Sequence, residues 1–322
     1  MLTRFLMAGL ALACLALPPT GSFSQDLSAE KIVDPGNVTQ VSPDVWVIED
    51  RDHIFLVPNV AIIVGRDAAL VVDTGLGVES AQRVLATARR LAGDRKLYLT
   101  VTHFHPEHGF GAQVFKGQAT IIYNRTQRDE MLEKGPAFIS LFSTQLHVAK
   151  AMAGVRLTAP DIVYDQQAEL DLGGLVVRMN EYKAAHTRGD QVISVPDRGV
   201  VILGDLLETD SFPIMPWFPD LHDTDVDPVN WRRILQTVAA TKPRVVVPGH
   251  GRIGDLSSVD AALAHLGLAQ QEVARRCAAG RALADIQAEL TPILAAQHPQ
   301  WDLKDWIPME IQVDYYRLCR SN

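Results

Sequence analysis

Residues 102–112 read THFHPEHGFGA and place His103, His105, Glu107 and His108 within six consecutive positions. Imidazole nitrogens with a carboxylate at that density are donors suited to zinc, and also to iron or manganese. One loop seldom completes a ligand set, so the reading depends on donors further along the chain. Three stand just past the ends of apolar, strand-like runs: His186 after LVVRMNEYKAA, Asp205 after GVVILG and His250 after RVVVPG. Donors in those places would be displayed on loops held by a rigid sheet. In an extended segment His103 and His105 point the same way and can grasp one ion. Pro106 then bends the chain, so that Glu107 and His108 can turn toward a second.

The elements that must position these donors follow from periodicity. DVWVI (44–48), NVAIIVG (59–65) and AALVVDTG (68–75) read as short strands. VESAQRVLATARRLAG (78–93) carries apolar residues at helical spacing and ends in Gly93. KLYLTV (96–101) returns to strand and runs straight into the histidine loop. A strand ATIIY and a helical segment over about 125–152 follow, then three strands within 175–186, 191–196 and 199–205. Asp227 and Pro228 form the cap and first turn of a helix over VNWRRILQTVAA. RVVVPGH is one more strand, and residues 256–320 read as mainly helical. Strand–helix alternation in both halves predicts a single α/β domain of two sheets flanked by helices. We place that domain at 44–322, after a leader (1–24) and an N-terminal extension (25–43).

The ordered pattern H-x-H-x-E-H, His in AHTRGD, Asp in LGDLL and His in PGHG, with Asp73 in VVDTG upstream, resembles the metallo-β-lactamase-fold hydrolases over roughly residues 44–255. The resemblance implies an αββα sandwich of two mixed β-sheets flanked by helices, with two zinc ions at one edge. It implies that His103, His105 and His186 hold the first metal, that Glu107, His108 and His250 hold the second, and that Asp205 bridges both. Asp73 and Asp190 are then expected to support ligands rather than bind metal. The implied reaction is attack of a metal-bound hydroxide on a carbonyl C–N or C–O bond, with Glu107 and Asp205 as catalytic carboxylates. One departure stands out: the family usually has Asp where this chain has Glu107, and one methylene displaces the carboxylate by about 1.5 Å. Glu107 is read as a second-metal ligand that can also shuttle a proton.

SFPIMPWFPDLHD (211–223) closely follows Asp205 and predicts a substrate-facing wall with Trp217 and Phe218 as apolar contacts. Residues 136–152 are the expected opposite wall. His53, His147, His222, His265 and His298 lack ligand spacing and are expected to be structural or superficial, with His147 and His222 nearest the pocket.

Bulk composition narrows the function classes. Apolar residues make up 47% and charged residues 21% of 322, as in an ordinary globular chain. A formal net charge of −8 with no Lys/Arg block argues against nucleic acid as a partner. Arg4, an apolar run from Phe5 to about Leu17 and small residues near Ser24 lay out a secretory leader cut near Ser24–Gln25, too short to anchor the mature chain. Its loss moves the net charge to −9, since Arg4 is its only charge. Secretion predicts a periplasmic enzyme acting on small molecules, with β-lactams, lactones and other esters or amides as candidates and β-lactamase-like hydrolysis as the leading reading. A bridging aspartate at 205 is, within the resemblance, more typical of lactonases and thioesterases than of true β-lactamases. The alternative is a non-catalytic metal-binding or maturation partner of a secreted quinoprotein dehydrogenase. Cys277 and Cys319 would survive processing, and the sequence leaves open whether they pair or stay as buried thiols.

Overall fold

A computed structural model describes residues 32–54, 56–144, 146 and 148–319. The leader and the His147 assignment therefore lie outside the described residues. Twelve strands are described: β1 (Val38–Ser42), β2 (Val45–Ile48), β3 (Val60–Val64), β4 (Ala68–Val72), β5 (Lys96–Thr100), β6 (Thr120–Asn124), β7 (Ile162–Tyr164), β8 (Gln167–Asp171), β9 (Val176–Glu181), β10 (Gln191–Val195), β11 (Val200–Glu208) and β12 (Val245–His250). The described helices are α1 (Gly77–Ala92), α2 (Pro106–Gly109), α3 (Arg125–Thr144), α4 (Ala149–Met152), α5 (Pro228–Ala240), α6 (Leu256–Ala278), α7 (Leu283–Gln297) and α8 (Ile307–Cys319).

The strands form two mixed sheets, one in the order β1 to β7 and the other β12-β11-β10-β9-β8. In the first, β1 to β4 pair antiparallel and β4 to β7 parallel. In the second, only β11 and β12 run parallel. Alternation along each strand builds three apolar layers. Ala61 and Ile63 of β3 join Leu70, Ile193 and Ile202 between the sheets. Val60 and Ile62 face the other way, onto Ala81, Val84 and Ala88 of α1 and Phe138 of α3. On the far side Val201 and Val246 pack against Trp231, Ile234 and Leu235 of α5. The αββα sandwich expected from the resemblance is therefore the fold. A further cluster, with Phe212, Ile286, Leu290 and Ile311, holds the C-terminal helices together.

Local chemistry explains the main boundaries. Asp227 caps α5 by accepting from Val229 and Asn230 N–H, and Asp255 caps α6. Gly93 ends α1 at positive φ, and its N–H reaches Arg89 O. Three differences from the sequence reading concern weakly apolar segments. Residues 38–42, placed in an N-terminal extension, form β1 and pair with β2. β8 alternates QAELD at a sheet edge and gives little hydrophobic signal, and β9 stops at Glu181, leaving His186 on a loop. Cys277 and Cys319 form a disulfide from α6 to α8, with Cα atoms 6.1 Å apart. Among the described residues no helix is long and apolar enough to cross a membrane.

Candidate metal centre

Five elements deliver their ends to one edge of the sandwich. β5 runs into His103 and His105, and His105 is the N-cap of the one-turn helix α2, which presents Glu107 and His108. The β9–β10 loop brings His186, β11 brings Asp205 and β12 ends in His250. Two glycines make room. A Cβ on Gly249 would lie 1.9 Å from Asp205 Oδ1, and one on Gly204, at φ +54°, would lie 2.5 Å from Thr102 Cβ. The β11–β12 register shifts on either side of Gly204, next to Asp205.

The donors fall into two groups that share Asp205. In the first, His105 Nδ1 lies 3.1 Å from His103 Nε2 and 3.0 Å from His186 Nε2. Asp205 Oδ2 faces the same group, 3.7 Å from His103 and 3.6 Å from His186. Its other oxygen, Oδ1, faces the second group, 3.2 Å from His108 Nε2 and 3.7 Å from His250 Nε2. Glu107 completes that group, whose donor atoms all lie within 4.8 Å of one another. Glu107, one methylene longer than aspartate, still places a carboxylate oxygen within that group.

Four of the five imidazoles are held by the nitrogen turned away from the donor group, His105 being the exception. His103 Nδ1 meets Thr102 Oγ1 at 3.0 Å, and His108 Nδ1 meets Asp73 Oδ2 at 2.9 Å. His186 Nδ1 and His250 Nδ1 meet the carbonyls of Ile214 and Val57. Asp73 also accepts from Thr102 N–H and Oγ1–H, so it supports the loop from behind. Asp190 accepts from the backbone N–H groups of His186 and Thr187 and from the Thr187 hydroxyl, fixing the His186 turn.

The electrostatics divide the imidazoles: burial favours the neutral form of His103 and His186, whereas neighbouring carboxylates outweigh burial and favour positive charge at His105 and His108. Burial drives His103 well below its ordinary range and His186 to about 3, so both are neutral at pH 7, the form that ligates metal. Burial opposes charge on His108 too, but Asp205 and Asp73 outweigh it and hold that imidazole well above its ordinary range. Asp205 is likewise held well below the carboxylate range against its burial, by His108, His250 and His103. Glu107 Oε2, His108 Nε2 and Asp205 Oδ1 are buried without hydrogen-bond partners. An orphaned buried polar atom costs about 1–3 kcal/mol, and one cation among these three would satisfy all of them. The donor set fits a divalent metal.

Trp217 and Phe218 depart from expectation. Among the described residues, the cleft over the second group is lined by Asp50, His53, Ile54, Leu56, Glu107, Ser211, Ile214, His250, Gly251 and Leu303. Trp217 instead stacks on Tyr316 of α8, and Phe218 packs on Phe138. The aromatic residues of 211–223 are taken up by packing, and Ser211 and Ile214 are the members of that stretch that line the cleft. His53, expected to be structural or superficial, stands at the cleft rim, 3.9 Å from Asp302. His222 is exposed, whereas His265 is buried on Glu310 and His298 stacks on Trp301. Asp50, His53, Ile54, Leu56 and Leu303 carried no motif that could have singled them out, because the chain brings them in from opposite ends.

A two-sheet sandwich with histidine and carboxylate donors gathered at one edge defines a class of metal-dependent protein. Residues 53–250, more than half of the chain, match the family model of the metallo-beta-lactamase superfamily. The chain belongs to that superfamily, whose members similar to it carry hydrolase names. It is 24% identical over 218 residues to the linear primary-alkylsulfatase of Pseudomonas sp. (strain ATCC 19151), a match spanning 58% of this chain and only 40% of that protein. Among solved structures, the stereoselective inverting sec-alkylsulfatase from Pseudomonas sp. aligns with a TM-score of 0.67 and 15% identity, over 87% of this chain and 50% of that one. A metallo-beta-lactamase from Pontibacter korlensis aligns at 0.56 and 20% identity, over 71% and 98%. At these identities the structural matches speak to the fold alone.

Proposed function

We propose that this protein is a dinuclear-zinc hydrolase of uncharged esters or lactones, with His103, His105 and His186 as ligands of one zinc, Glu107, His108 and His250 of the other, and Asp205 between them. The observation that carries the reading is Asp205 itself, with one oxygen aimed at each of two separate donor groups. When bound, such a pair of cations supplies water of lowered pKa and positive charge at the scissile bond. Glu107 faces the cleft with one buried oxygen free of any partner. It is the group to take a proton from the attacking water and return it to the leaving oxygen, a role worth about 10²–10⁴ in rate.

The cleft favours an uncharged substrate. Ile54, Leu56, Ile214 and Leu303 make its walls apolar, and its charged neighbours among the described residues are Asp50 and Glu107. Among the described residues no lysine or arginine lines it to receive the carboxylate of a β-lactam or the sulfate of an alkyl sulfate. The leader-like residues 1–24 support action in the periplasm, and the formal net charge of −8 supports a small molecule over nucleic acid as substrate.

The test uses zinc-loaded protein against an aryl ester, a δ-lactone, a β-lactam and an alkyl sulfate, each with and without a chelator. The expected outcome is chelator-sensitive turnover, with kcat/KM highest for the ester or lactone. Faster cleavage of the β-lactam or the sulfate would overturn the substrate class. No turnover with two zinc ions bound would favour the alternative, a non-catalytic maturation partner of a secreted quinoprotein dehydrogenase.

A further inference from the structure

His105 differs from the other imidazoles of the centre. It alone turns Nδ1 toward the donor group, where the others turn Nε2. A metal on Nδ1 leaves the proton on Nε2, and that atom is buried with no hydrogen-bond partner. Facing it at 3.9 Å is Asp223 Oδ2, itself buried and unpartnered. The other Asp223 oxygen accepts from Lys134 Nζ at 2.8 Å.

Lys134 is an unusual residue for its place. It lies on α3 with no side-chain exposure, and buried lysines are seldom found unless paired. Its ammonium also donates to Glu130 at 2.8 Å and to Asp225 at 2.7 Å. Glu130 accepts in turn from the backbone N–H of Arg188 and of Gly189, two and three residues past His186. The spacing of Glu130, Asp223 and Asp225 could by itself hold a cation. The Lys134 ammonium already fills that position, so the cluster is no third metal site.

We propose that Lys134 is a positioning residue for the first metal alone, tying together the His105 and His186 loops through Asp223 and Glu130. This rests on the dinuclear reading above. The second group has separate supports, His108 on Asp73 and His250 on Val57 O, so the loss of Lys134 should be felt on one side of Asp205. A network that merely stabilised the fold would weaken both sides together.

The experiment is a zinc titration of the full-length processed protein against a chromophoric chelator, resolving two dissociation constants. His186→Ala and His250→Ala assign each constant to its group. Lys134→Met removes the ammonium at similar length, and Asp223→Asn, which keeps the Glu130 and Asp225 pairs, serves should the first variant fail to fold. Both are expected to weaken the first-group constant by about 10–100-fold and to leave the other unchanged. Equal weakening of both constants, or of neither, overturns the assignment to Lys134. A parent protein that binds fewer than two zinc ions overturns the dinuclear reading itself, and this proposal with it.

Discussion

The molecule buries two assemblies of histidine and carboxylate, and they have opposite logic. One is the centre around Asp205. The other lies among the C-terminal helices, where His265 Nε2 meets Glu310 at 3.0 Å and Asp314 sits one turn along α8, all but fully buried. Both contain buried polar atoms without partners. At the centre these atoms converge, and their neighbours are arranged to hold the imidazoles from behind. In the helical cluster Asp314 Oδ1 and Oδ2, Glu310 Oε1 and His265 Nδ1 are unpartnered, but they do not form a group of donors close enough to share an ion. Convergence of orphaned atoms, more than their number or burial, is what separates a ligand set from a buried polar network. The Lys134 cluster is a third case, in which the atoms do converge and a side chain of this chain has occupied the meeting point.

The comparison breaks most sharply at Asp205. Asp205→Ala should cost turnover down to the limit of detection and at least one equivalent of metal, read by elemental analysis. Retention of two metals would deny the shared bridge. Glu107→Gln keeps size and one acceptor oxygen while removing the base. A fall of about 10²–10⁴ in kcat with metal content largely kept would assign it proton transfer, whereas parallel loss of metal would make it chiefly a ligand.

The smallest effect is expected in the helical cluster. Burial, and then the charge of Glu310, push Asp314 well above the carboxylate range. The folded chain therefore keeps a proton that the unfolded chain releases near pH 4, and stability falls as pH rises from there toward the native pKa. Asp314→Asn should remove that loss, raising Tm by a few degrees at pH 8 and by less at pH 4, without changing metal content. An equal or negative shift at pH 8 would show that Asp314 is ionised and compensated in the fold.

Much of the centre was legible in the chain because its donors obey a local rule: a buried strand ends and a ligand follows. His103 and His250 sit just past or at such ends, whereas His186 follows β9 by a loop and Asp205 lies within β11, whose apolar run VVIL is marked by burial on both faces. Edge strands β1, β7 and β8 escaped because Tyr164 is the one buried residue among them and their apolar alternation is short or weak. Trp217 and Phe218 misled for a different reason. An aromatic stretch near a ligand can line a cleft or pack a helix, and only the positions of α8, for Trp217, and α3, for Phe218, decide between them.

By itself, then, the sequence determined the donor types, their order and the strand ends that carry them, because those depend on residue chemistry and periodicity within short windows. The tertiary structure decided which atoms meet. That Asp205 turns one oxygen to each group, that His105 enters by Nδ1, and that Lys134 fills the space among three carboxylates depend on side chains brought together from separate elements. No local pattern encodes those distances, because sheet packing and the Gly204–Gly249 approach set them.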